Sequence, residues 1–107
     1  FVSDEVVKED RLRLDIYRRL SSCVESVEIY EIQEEVIDRF GALDAPTKQF
    51  FELMVIKVLS LSKGIKSVSN YGQNITFTYM DEKKESIKSD SKDDDDIIKA
   101  TLLYLRA

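Results

Sequence analysis

Ile65-Lys66-Ser67-Val68-Ser69-Asn70-Tyr71-Gly72-Gln73-Asn74-Ile75-Thr76-Phe77-Thr78-Tyr79 is the stretch in which the spacing of apolar residues changes. Ile75, Phe77 and Tyr79 alternate with Thr76 and Thr78, the period of two required of a strand with one buried face. Ile65, Val68 and Tyr71 read as another short strand, and Tyr71-Gly72-Gln73-Asn74 reads as the turn joining the two. The sequence before this hairpin follows helical spacing instead. Helices segregated from strands define an α+β domain.

Upstream, the segment from Phe50 through Leu53, Val55, Ile56, Val58 and Leu61 is apolar on much of its circumference and stops at Gly64. It reads as the most buried helix, opened by Leu43-Asp44-Ala45-Pro46 with Asp44 or Ala45 at the cap. Before it, Ile29, Ile32, Val36, Ile37 and Phe40 are expected to face the core. Ser26 is the expected N-cap of that second helix, Glu28 lies in its first turn, and Gly41 is the expected left-handed stop. Asp10 to about Ser22 places Leu12, Ile16, Leu20 and Cys23 on one stripe, with Arg11, Arg13, Arg18 and Arg19 mostly off it. Downstream, the polar stretch from Glu82 to Ser91 has room for a third edge strand around Ile87. Asp93–Asp96 then leads into Ile97, Ile98, Leu102, Leu103 and Leu105, a closing amphipathic helix. The expected architecture is three N-terminal helices, a small antiparallel sheet of two or three strands, and a C-terminal helix.

Residues 1–107 are read as a single domain, since this length supports one core. The opening Phe1-Val2-Ser3-Asp4-Glu5 lacks an initiator Met and the basic-then-apolar pattern of a signal peptide, so the chain reads as a piece of a longer protein. Sixteen Lys and Arg against twenty-one Asp and Glu give a net charge of −5, which opposes a duplex-binding surface. No window reaches the apolar length of a membrane span. Neither direct nucleic-acid contact nor a membrane partner is expected. Cys23 stands alone, which suits a reducing cytoplasm.

The chemistry that catalysis commonly needs is missing. The chain has no histidine, and Gly41, Gly64 and Gly72 are too far apart to form a phosphate loop. Cys23 continues a core stripe, so it reads as a small buried hydrophobe and not as a nucleophile. The Asp93–Asp96 run lacks the alternation, glycine and distal Glu of a calcium loop. Carboxylates opening a helix complement its dipole instead. Paired carboxylates suited to glycoside hydrolysis come without an accompanying aromatic set or any Trp. No catalytic residue, cofactor or metal is expected, and the chain is read as a non-enzyme that presents a surface to another protein.

One constellation stands above this background. On a helical wheel, Glu28, Glu31, Glu34, Glu35 and Asp38 gather opposite Ile29, Ile32 and Val36, uninterrupted by a cation until Arg39. A charged outer face is also what any surface helix carries. Like charges three and four residues apart repel by a few tenths of a kcal/mol each. A stripe that tolerates this repulsion suits a partner's Arg or Lys.

Three blocks resemble the C-terminal domain of bacterial transcription-repair coupling factors. They are Arg13-Leu14-Asp15-Ile16-Tyr17-Arg18-Arg19-Leu20, Glu28-Ile29-Tyr30-Glu31-Ile32-Gln33-Glu34-Glu35-Val36-Ile37-Asp38-Arg39-Phe40-Gly41 and Gly64-Ile65-Lys66-Ser67-Val68. Together they cover roughly residues 10–70. The resemblance implies a parent protein that is an ATP-dependent DNA translocase, displacing stalled RNA polymerase and recruiting UvrA through a UvrB-homology module. The C-terminal domain is implied to clamp that module and mask its UvrA-binding surface. The family's contact acids fall on Glu35 and Asp38, with Glu31 and Arg39 as expected helpers. Asp44 stands where the family often has a second Pro. Two rivals make different expectations: a structural cap of the translocase with no masking role, and a small acidic-site hydrolase or metal-binding domain.

Overall fold

The computed structural model describes residues 4–107, with side chains from residue 11 onward. Four helices and three strands follow in the expected order: α1 Asp4–Ser21, α2 Ser26–Phe40, α3 Ala45–Ser62, β1 Ile65–Tyr71, β2 Asn74–Tyr79, β3 Lys84–Lys88 and α4 Asp94–Arg106. The fold is α+β. α1 begins at Asp4, earlier than the apolar stripe from Asp10 suggested.

The chain divides into two compact units, Phe1–Leu43 and Asp44–Ala107. In the first, Leu20 of α1 and Ile29, Ile32 and Val36 of α2 are buried. The stripe predicted these four. Phe40 is a correction: it is 53% exposed, and the Arg39 guanidinium lies 5.5 Å from its ring centroid. It is the last helical residue, so the cation covers a ring at the helix end. The N-cap is also shifted. Glu25 holds it, one residue before Ser26, because Glu28 Oε1 reaches back to accept the backbone N–H groups of Val24 and Glu25, both at 3.0 Å. Gly41 ends α2 with φ +86° and ψ −168°. This is not the left-handed helical well expected but a region open essentially only to glycine.

In the second unit Asp44 caps α3, accepting the Thr47 N–H at 2.9 Å, and Pro46 stands in the first turn. α3 buries Phe51, Val55, Ile56 and Val58 but leaves Leu53 and Leu61 exposed. The sheet is an antiparallel meander in the order β1-β2-β3. A two-residue loop, Gly72-Gln73, joins the paired Tyr71 and Asn74. Gly72 has φ +59° while Gln73 does not enter the positive region, as a type II′ turn requires. Between Ile65 and Ser67 the register shifts, so Lys66 is an extra residue on β1. That insertion explains why Ile65 and Val68, an odd number apart, both pair with inward residues of β2, Tyr79 and Phe77. Tyr71 does not join them and is 88% exposed.

The core of this unit is built from Ile56, Ile65, Ile75, Phe77, Ile97, Ile98 and Leu105, drawn from α3, β1, β2 and α4. Tyr104 of α4 stacks on Phe77 with centroids 4.0 Å apart and an interplanar angle of 14°. The Tyr104 hydroxyl donates to the Glu85 carboxylate of β3. A hydroxyl has one proton, so at 2.6 Å the Tyr79 hydroxyl is the donor to Tyr104. The Asp run does open α4, with Asp94, Asp95 and Asp96 in the first turn. Asp96 is tied down by the Ser91 hydroxyl at 2.6 Å.

Candidate functional site: the outer face of the second helix

Core residues Ile29, Ile32 and Val36 recur at three- and four-residue steps and fix which side of α2 faces inward. Everything roughly opposite is thereby presented to solvent. Glu31, Glu35, Asp38 and Arg39, the four residues expected to make contacts, line one open depression on this face. Glu34 joins them, and so do Val27 and Tyr30. Glu28 departs from the expected stripe: it is half-buried, and its carboxylate is spent on the helix start. The face therefore carries four acids, one cation and two residues with apolar bodies.

Glu35 is engaged within its own unit. Arg19 Nη2 of α1 lies 2.6 Å from Glu35 Oε2, and both side chains remain more than two-fifths exposed. The hydrogen bond to Arg19 comes first among the influences that hold the Glu35 carboxyl below the usual range, with the charges of Arg19 and Arg39 adding to it. A carboxylate has about four lone-pair sites. One guanidinium nitrogen occupies part of one oxygen, so Glu35 can accept a second cation from outside. Among the described residues Asp38 makes no ion pair. Asp38 also stands in the last turn of α2, where the helix dipole favours cations. Its placement costs local stability by a few tenths of a kcal/mol or so.

Arg19, which the sequence places off the core stripe of α1, thus holds Glu35 through an ion pair. The signal was present in the off-stripe arginines of α1, but no single-helix pattern names the acid they meet. Val27 and Tyr30 went unread as surface features. Val27 falls in the middle of the acidic arc on the same wheel, and that position was the available clue. Cys23 is half-buried instead of fully buried; its Sγ donates to the Arg19 carbonyl at 3.3 Å, and burial pushes the thiol up in pKa. That is the reverse of an activated thiolate. Among the described residues no group of three or more His, Cys, Asp or Glu side chains is arranged to hold a metal ion. Among the same residues no helix is long and apolar enough to cross a membrane.

Residues 1–89 match the profile of the TRCF domain family. The chain is 50% identical over its full 107 residues to the transcription-repair-coupling factor of Helicobacter pylori strain ATCC 700392 / 26695. It covers 11% of that protein's length. Similarity to the transcription-repair-coupling factor of Rickettsia bellii is 29% over 70 residues, 65% of this chain and 6% of the relative. The Staphylococcus haemolyticus protein of the same name is 23% identical over 75 residues, 70% of this chain and 6% of the relative.

Proposed function

The chain belongs to the TRCF domain family, and from that premise we propose that it is the non-catalytic C-terminal domain of a transcription-repair coupling factor. In this reading it belongs to a cytoplasmic, multidomain DNA translocase, works as one domain, and docks on the UvrB-homology module of the same polypeptide. Docking masks UvrA recruitment until the translocase acts on stalled RNA polymerase. The domain itself binds no nucleic acid and no cofactor. Glu35 and Asp38 meet the module's cations, and Glu31 and Arg39 border the contact.

One observation carries this assignment of residues: Glu31, Glu35, Asp38 and Arg39 come together on one solvent-open face. Asp38 there carries a charge that its own helix disfavours and that no described cation neutralises. A partner's cation would satisfy it. Charged rim contacts are worth a modest amount each and are screened by salt. A clamp that must open needs only a few kcal/mol between its two states, so such an interface suits the task.

The test is UvrA capture by the full-length protein, immobilised, with and without Glu35→Ala plus Asp38→Ala. Release of the mask is expected to raise capture in the variant, with the melting temperature unchanged. Capture at the wild-type level would favour the rival in which the domain only caps the translocase.

A further inference from the structure

We infer that the docking face is anchored by an apolar strip, Val27 and Tyr30, whose partner is a protein surface carrying one aliphatic or aromatic side chain about 12 Å from its cations. This rests on the docking role proposed above and adds to it the chemistry of the contact. Val27 starts a row that continues through Glu31, Glu34 and Asp38 at steps of four, three and four residues. Residues at those steps project from the same side of a helix. Val27 is 53% exposed and Tyr30 38% exposed, and both line the depression together with the acids.

The face has a polarity along its length. Its apolar residues occupy the first half of α2, whereas Glu35 and Asp38 occupy the second. The centre of the first pair lies eight residues before the centre of the second, which at 1.5 Å per residue is about 12 Å. A partner must therefore present its apolar group and its cations in that order and at that spacing. The four carboxylates beside the strip exclude a phosphate backbone or an anionic lipid surface by repulsion. They select a cationic protein surface. Large, stiff side chains such as Tyr contribute strongly for little lost rotamer entropy, and they are over-represented among residues that dominate binding. The apolar part resists salt, while the ionic part is screened by it.

The experiment uses the full-length protein with UvrA as the captured probe, at about 50 mM and about 300 mM salt, a range over which exposed ion pairs are progressively screened. Val27→Ser plus Tyr30→Ser is expected to raise UvrA capture at least about fivefold at both salts, the effect of losing about 1 kcal/mol of docking. Tyr30→Phe, which keeps the ring, is expected to stay near the wild-type level. Should the double variant melt early, Val27→Asn alone is the readout, and capture must still rise. Wild-type capture in these variants, with a rise in Glu35→Ala plus Asp38→Ala, would overturn the apolar anchor and leave acidic docking standing. No rise in either set would bring down both.

Discussion

Tyr104 illustrates how much one side chain can join. Its ring lies on Phe77 of β2, and its hydroxyl is held by Glu85 of β3 and Tyr79 of β2. The hydrogen bond to Glu85, then that from Tyr79, raise its ionisation above the ordinary tyrosine range. Ionising it removes the proton given to Glu85 and sets two negative charges together. The folded value lies above the unfolded one, so the stability from this group is complete below about pH 10 and is lost as the pH climbs through the folded value. Tyr104→Phe keeps the stack but breaks both bonds, and is expected to cost about 1–2 kcal/mol at pH 7. Urea unfolding at pH 7 and at about pH 11 checks this, since the gap between wild type and variant should shrink at the higher pH. An unchanged gap would place the stabilisation elsewhere.

At the scale of the element, α2 holds acids where its dipole prefers cations. Asp38→Asn removes one such acid and its repulsion with Glu34 and Glu35. It should raise the stability of the chain by a few tenths of a kcal/mol while weakening the docking proposed for this face. The urea midpoint and UvrA capture by the full-length protein, read on the same variant, test the two halves. A fall in stability would mean that Asp38 has a structural partner. The identity and order of the elements were legible because period 3.6 and period 2 are unlike, and because Gly41, Pro46 and Gly72 punctuate them. Features that depend on a neighbour were less legible. The bulge at Lys66 exists only relative to β2, and the hold of Arg19 on Glu35 only relative to α1. Phe40 misled the wheel because a helix end exposes a residue that mid-helix spacing would bury. The acidic face was legible as a stripe, but an alternation of charge alone hides an apolar residue placed within it, as with Val27.

At the scale of the molecule, the unit Asp44–Ala107 gathers buried residues from α3, β1, β2 and α4 about Phe77. Phe77 is fully buried and also supports Tyr104. Phe77→Ala removes a ring from the centre of the core, and is expected to cost about 3–5 kcal/mol. Against a typical total of 5–15 kcal/mol, that is a large share. A calorimetric scan should show a strongly lowered transition, and a loss under about 1 kcal/mol would mean that the ring's neighbours collapse into its place.

The meander has two open rims, and each is blunted against the addition of a foreign strand. Along β3 the rim begins at Lys84 and ends at Lys88, so an incoming strand meets two positive charges. Along β1 the bulge at Lys66 breaks the even row of backbone donors and acceptors. A sheet this small would otherwise be a template for stacking copies into fibrils at high local concentration. With both rims blunted, copies of this unit at high local concentration have little means of polymerising edge to edge.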